Sequence, residues 1–385
     1  MTSPLRFVFI GLSITSSWGN GHATTYRSLL AALARRGHLV RFLERDVPWY
    51  AGHRDHFALP NVQVALYDSL DDLRTRFGRM VRTADAVIVG SYVPQGDAVG
   101  AWVLREAQGV RAFYDIDTPI TLSALEEGRC EYLSRATLAG YDLYLSFTGG
   151  RALAELEALG ARRAQPLYCG VDVQAHAPRT EAERWDLGYL GTYAVDRQPA
   201  LQTLLLDVAR GHAEARFVVA GPLYPPALTW PANVDRMEHV APPEHSRFYA
   251  RQRWTLNLTR ADMKRLGHAP SVRLFEAAAC GVPVITDTWA GLEDFFEPGR
   301  EIVPACDARD VTAMLWHCSD QRRRAIGEAA RRRVLASHTA DARARTLEGY
   351  VDEALATRPI REVEPLLRAA GAPSRIRLAP SDEVA

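Results

Sequence analysis

Cysteine is scarce and scattered in this chain. Five occur in 385 residues, at positions 130, 169, 280, 306 and 318, with no Cys-x-x-Cys pair and no histidines at zinc spacing. A disulfide framework and a structural zinc site are thereby excluded. Long apolar runs are absent as well: no stretch of 18 apolar residues occurs, so no membrane span is expected. Net charge is missing too, because 46 Lys plus Arg offset 46 Asp plus Glu. A balanced chain has no field to hold nucleic acid or an anionic bilayer, and general nucleic-acid binding is not expected. Met1 to Arg6 run straight into the apolar Phe7 to Leu12 without a basic region, a long apolar core or a small-residue cleavage site, so no leader is expected and the cytoplasm is the default address. Lysine is nearly absent, with Lys264 set against 45 arginines.

What is present is ordinary globular material: 47% hydrophobic and 24% charged residues, enough for two cores and too apolar for disorder. Short β-branched runs at Phe7–Leu12, Leu39–Leu43, Val62–Tyr67, Ala86–Val89, Ala112–Ile116 and Leu143–Phe147 alternate with helical patterns. In Thr24–Arg36, Tyr26, Leu29, Leu30 and Leu33 form one stripe that Gly37 ends. The alternation breaks at the polar stretch Cys169–Arg184 and restarts with Leu187–Leu190, Arg216–Ala220, Val234–His239, Thr255–Leu258, Val282–Thr286 and Ile302–Val303. Strands alternating with helices imply open parallel sheets, so the expectation is two Rossmann-like α/β domains, 1–170 and 171–340. A final part, 341–385, is expected to hold a helix packing back on the first domain and a frayed tail. Two such domains bind ligand in the cleft at the carboxyl ends of their strands.

The most informative stretch is Ser271–Val303, SVRLFEAAACGVPVITDTWAGLEDFFEPGREIV. It reads as a helix stopped by Gly281, a buried strand, and a loop opening another helix near Gly291. Glu276 in the first helix can turn a carboxylate to the cleft and accept hydrogen bonds from a vicinal diol such as a ribose. The amides from Gly291 to Leu292 offer an anion site for a diphosphate.

Glu276, Ala277, Ala279, Gly281, Pro283, Val284 and Ile285 match E-A-x-A-x-G-x-P-V-I, and the stretch resembles the donor-binding signature of retaining, family-4-like glycosyltransferases of the GT-B fold. The pairing of Arg273–Gly281 (R-x-F-E-A-A-A-C-G) with Asp115–Pro119 (D-x-D-T-P) is similar to the CgeB-like spore-maturation glycosyltransferase group. The resemblance implies a nucleoside diphosphate sugar donor, with its ribose on Glu276 and its sugar met by the residue eight positions earlier, His268. It also implies a basic residue on the pyrophosphate after the strand Leu187–Tyr193, where Gly191 is followed by Arg197. Arg197 leads that assignment, followed by Arg273 and Arg260, since a guanidinium holds two phosphate oxygens at once. No cofactor and no metal are implied, and the acceptor is an unidentified saccharide, protein or other hydroxyl compound.

On the other side of the cleft, Ser16–His22 reads SSWGNGH, with Gly19 and Gly21 letting backbone approach phosphate or sugar closely. Gly11 ends the strand, Gly19 lies eight residues on, and no third glycine follows Gly21, which disfavours a nicotinamide fingerprint. His22 is either a general base, as in inverting GT-B enzymes, or a helix-start residue that orders the loop. Asp115 and Asp117 have three readings: cap or loop ordering, contact with acceptor hydroxyls, and, most remotely, metal binding. The expected activity is retaining, metal-independent glycosyl transfer. Its rivals are an epimerase or hydrolase on the same scaffold and a non-catalytic nucleotide-sugar-binding protein.

Overall fold

The protein is described by a computed structural model covering residues 3–55 and 58–357. The tail foreseen beyond Pro359 lies outside the described residues. Two parallel sheets organise the chain. The first holds β1 (Arg6–Gly11), β2 (Leu39–Arg45), β3 (Val62–Tyr67), β4 (Ala86–Gly90), β5 (Val110–Asp115), β6 (Leu143–Ser146) and β7 (Ala164–Pro166), in the order β3-β2-β1-β4-β5-β6-β7. The second holds β8 (Trp185–Leu190), β9 (Phe217–Ala220), β10 (Val234–Met237), β11 (Gln252–Asn257), β12 (Val284–Thr286) and β13 (Val303–Pro304), in the order β10-β9-β8-β11-β12-β13.

Apolar side chains on both faces of the strands explain the parallel arrangement, since helices must cover each side. In β1, Phe7 and Phe9 enter one core while Val8 and Ile10 enter the core on the opposite face. The second sheet repeats this, with Val218 and Ala220 on one side and Phe217 and Val219 on the other. The helix Gly21–Arg35 buries Tyr26, Leu29, Leu30 and Leu33, and the Asn20 side chain caps it by accepting from the His22 amide.

Several boundaries moved. β5 ends at Asp115 rather than Ile116, and β12 starts at Val284, just after Pro283, which has no amide to give a ladder. β7 is a three-residue edge strand too short for its pattern to be read. The segment after Gly291 is a single tight turn, Leu292–Asp294, not the start of a helix.

The chain crosses between the lobes twice. The linker after β7 pairs with the return crossing through the Val171 and Thr339 bridge, and the Val171 amide donates to the His338 carbonyl. The last described helix, Ala340–Thr357, then lies against Gly21–Arg35 of the first lobe, where Glu348 accepts from both Arg36 and His38. No helix among the described residues is long and apolar enough to cross a membrane.

Both sheets reverse direction of growth at their first strand: between β1 and β4 in one lobe, and between β8 and β11 in the other. Loops leaving these neighbours diverge to opposite faces, opening a crevice at the strand ends. The two crevices face each other.

Candidate functional site

Two adjoining chambers occupy the space between the switch points. The first, about 270 Å³, is lined by Gly19, Asn20 and Gly21 of the first lobe and by Gly191, Thr192, Arg197, Gly221, His239, His245, Tyr249, Arg273 and Glu276 of the second. The second, about 360 Å³, is lined by Gly19, Gly21, His22, Tyr50, Tyr92 and Asp117 of the first lobe and by Arg197, Leu258, Arg260 and Met263 of the second.

Glu276 stands in the wall of the first chamber on the helix Val272–Ala279 and is 3% exposed. Alanines 277–279 let that helix approach the sheet closely, which buries the carboxylate while leaving it at the crevice. Among the described residues the one hydrogen bond to its carboxylate comes from the Tyr249 hydroxyl, 3.2 Å from Oε2. Burial pushes the carboxyl up, but the fields of His176 and His245 and the Tyr249 hydroxyl more than offset this and hold it at about 2. Burial pushes the His176 imidazole down, toward its neutral form. These two shifts pull against each other, because a neutral His176 gives Glu276 no charge. Among the described residues the His176 ring nitrogens have no hydrogen-bond partner, and the Tyr249 hydroxyl is the donor to the carboxylate.

Three arginines converge. Arg197 lines both chambers, with Nη2 donating to the Thr192 carbonyl at 2.6 Å and a buried Nε that has no partner. Arg273 lines the first chamber; Nη1 donates to Asn257 Oδ1 at 2.8 Å, Nε donates to the Leu190 carbonyl, and the guanidinium lies 4.8 Å from the Tyr189 ring centre. Arg260 lines the second chamber beside Asp196, 3.4 Å away. Lys264, to which the sequence gave no role, pairs with Asp287 at 3.0 Å; Asp287 in turn accepts from the Thr259 amide and hydroxyl, steadying the loop that carries Arg260.

The glycines make the first chamber possible. A Cβ on Gly191 would meet Tyr189 Oη at 2.6 Å and Arg273 Nη2 at 2.8 Å, and one on Gly221, at φ +136°, would meet the Gly191 carbonyl at 2.1 Å. A Cβ on Gly19 or Gly21 would instead meet open space.

His22 and Asp117 face each other in the second chamber, Nε2 to Oδ2 3.4 Å, while the buried His22 Nδ1 has no partner. Asp115 is not at the cleft, contrary to one reading of the sequence. It is fully buried, accepts from the Tyr144 hydroxyl at 2.6 Å, the Thr121 hydroxyl at 2.8 Å and the Asp117 amide at 3.2 Å, and is pushed by burial up to about 6. As the last residue of β5 it points into the core, whereas Asp117, past the turn, reaches the crevice.

Three further candidates fall outside both chambers. His268, at φ +48°, bonds Asp294 at 2.7 Å and is wedged between Gly150 and Gly291. Gly291 and Leu292 belong to the short turn and line neither chamber. Residues the sequence did not single out include Tyr249, His245 and Asn20; the first two lie on the short helix His245–Ala250 and the third caps the helix Gly21–Arg35, with no spacing signal to mark them.

Two facing parallel-sheet domains with an interlobe crevice at both switch points define the GT-B fold. Residues 197–349 match the sequence family described as glycosyl transferase-like. No curated protein matches the chain. Among solved structures it is similar to sucrose-phosphate synthase from Thermosynechococcus elongatus, at 15% identity and TM-score 0.66 over 92% of this chain and 100% of that one. It is similar to Anabaena HepE in complex with UDP and glucose, at 12% identity and TM-score 0.66 over 91% and 100%. An α-glucosyltransferase in complex with UDP-glucose and DNA containing an abasic site aligns at 12% identity and TM-score 0.71 over 91% and 100%. At these identities the likeness is one of fold.

Proposed function

We propose that the protein transfers a glycosyl unit from a nucleoside diphosphate sugar to a hydroxyl acceptor, the donor held mainly by the second lobe and the acceptor by the first. The observation that carries this reading is the buried, ionised Glu276, with spare acceptor capacity, in the same chamber as Arg197 and Arg273. A carboxylate suits the ribose diol, and two guanidiniums suit the diphosphate. Uridine diphosphate is the first donor nucleotide to test, because the HepE and α-glucosyltransferase structures contain UDP or UDP-glucose. The CgeB-like pairing of Arg273–Gly281 with Asp115–Pro119 supports a reading within that group, with Asp117 rather than Asp115 available to the acceptor.

As the donor's bond breaks, Arg197 and Arg273 stabilise charge developing on the leaving diphosphate. Lobe closure would exclude water and align the acceptor oxygen with the anomeric carbon. We infer metal-independent transfer with retention, in which the leaving diphosphate takes the acceptor's proton on the same face. A second reading, inversion with His22 as base, draws on the His22 and Asp117 pair. Against it, Asp117 approaches Nε2, the nitrogen that would take the proton, and the rear Nδ1 lacks the orienting carboxylate a relay needs.

A panel of nucleotide sugars with and without hydroxyl acceptors, followed by NMR of the product anomer, tests the proposal. Retained product supports it and inverted product moves the base role to His22. Donor epimerisation or complete hydrolysis without acceptor favours the epimerase or hydrolase. Absence of binding by the uridine, guanosine, thymidine, cytidine and adenosine diphosphates alike removes the reading.

A further inference from the structure

Behind Glu276 the wall of the first chamber is thin. On its far side lies a third cavity, about 550 Å³, lined by Thr24, Ser28, Asp172, His176, Arg179 and Glu276 among others. His176 comes from the interlobe linker, His245 begins the helix His245–Ala250, and Glu276 sits on Val272–Ala279, so three separate segments meet in this partition. His176 Nε2 lies 3.7 Å from Glu276 Oε1, and His245 Nδ1 lies 3.7 Å from Oε2. The three donor atoms all lie within 4.8 Å of one another.

Those separations are too long for hydrogen bonds, and the polarity of the groups makes them unfavourable as they stand. His245 Nε2 faces the Val240 carbonyl at 3.2 Å, so that nitrogen carries a proton, and in the neutral ring Nδ1 turns its lone pair toward the carboxylate. His176, whose side chain is 5% exposed, has no hydrogen-bond partner on either ring nitrogen among the described residues. With both rings neutral, two imidazole nitrogens and a carboxylate surround one point with no donor between them. A cation at that point would satisfy all three, and a backbone carbonyl on the outer nitrogen is how metal-binding histidines are commonly oriented.

We propose that His176, His245 and Glu276 form a transition-metal site of the zinc type. Two imidazoles and one carboxylate suit zinc or cobalt rather than magnesium or calcium, which take oxygen ligands. Tetrahedral coordination at about 2.0–2.1 Å sets ligand atoms about 3.4 Å apart, so the three groups, now within 4.8 Å of one another and 3.7 Å apart across each histidine–carboxylate pair, draw together by side-chain rotation when an ion binds. A fourth position opens into a cavity. Because the ion takes the carboxylate assigned to the donor ribose, metal and nucleotide compete; this last step alone rests on the proposed function.

The test uses untagged full-length protein, stripped with a chelator and titrated with cobalt(II) alone. The expected result is saturable one-to-one binding with visible d–d absorption, weakened at least tenfold in His176→Ala and in His245→Gln, two variants that perturb different segments. Circular dichroism and urea melts establish which variants fold, and either one suffices. Absence of saturable binding up to about 1 mM cobalt, an affinity too weak to matter at a donor site, overturns the proposal. Binding that a folded variant retains at full strength also overturns it. The five nucleoside diphosphates are then added in turn. If a nucleoside diphosphate binds but cobalt does not, the metal site fails and the proposed function is untouched; if cobalt binds but none of the five nucleoside diphosphates does, the metal site stands and the ribose role fails.

Discussion

Replacing Glu276 by glutamine perturbs the donor site at one atom. The carboxylate has two oxygens, of which Oε2 takes one bond from Tyr249 and Oε1 takes none, leaving room for both hydroxyls of a ribose. Each hydrogen bond to a charged acceptor contributes about 1.5–3 kcal/mol. Glutamine keeps one acceptor oxygen, now neutral, and turns an amide donor toward the second hydroxyl, so one charge-assisted bond is lost and the other weakened. The net loss of about 2–3 kcal/mol corresponds to roughly 30- to 150-fold weaker UDP binding, measurable by isothermal titration calorimetry. A nucleotide lacking both ribose hydroxyls isolates the effect: 2′,3′-dideoxy-UDP should bind wild type and Glu276→Gln equally. The urea midpoint should fall, because a carboxyl held at about 2 is more favourable ionised in the folded chain than in the unfolded one, and glutamine forfeits that difference. Unchanged UDP affinity, or an equal loss for the dideoxy nucleotide, would refute the assignment.

Arg197→Ala removes the arginine common to both chambers and should lower kcat for transfer by about 10²-fold, whereas Arg260→Ala, already paired with Asp196, should cost less than tenfold; equal losses in steady-state assays would reverse that ranking. Gly191→Ala forces Arg273 Nη2 from its position and should weaken UDP binding at least tenfold in calorimetry; wild-type affinity would show that Arg273 does not hold the nucleotide. Asp115 is raised from 3.8 to about 6, so the folded chain keeps this proton to higher pH than the unfolded chain does. Its contribution to stability is therefore favourable at low pH and is lost as pH climbs from about 4 to about 6, by about 3 kcal/mol. Asp115→Asn should flatten that part of the stability curve in urea melts, and an unaltered slope would contradict the burial argument.

The local signals were readable in the sequence because they depend on near neighbours. Alternating apolar runs, glycine stops and the E-A-x-A-x-G-x-P-V-I stretch place Glu276 on a helix before a buried strand, and they foretell two parallel-sheet lobes. Arg197, Arg273, Gly19, Gly21 and Gly191 lie at strand ends and loops, where any doubly wound domain binds its ligand. Position relative to a strand's end was harder to read. Asp115 and Asp117 differ by two residues, yet the last residue of β5 points into the core and the residue past the turn reaches the crevice. His268, Gly291 and Leu292 met a similar fate, because a single tight turn replaced the expected helix and packed around the His268 ring.

Residue order alone therefore determined the two sheets, the helix carrying Glu276 and the arginines within reach of the crevice, since each follows from periodicity or local turn chemistry. Only the tertiary structure decided which acidic group faces the crevice and that, among the described residues, Tyr249 alone bonds the Glu276 carboxylate. It also brought His176 and His245, sixty-nine positions apart in the chain, to opposite sides of that carboxylate. The physical reason is that burial and donor geometry are set by segments distant in sequence meeting at the ends of strands, and no spacing along the chain encodes that meeting.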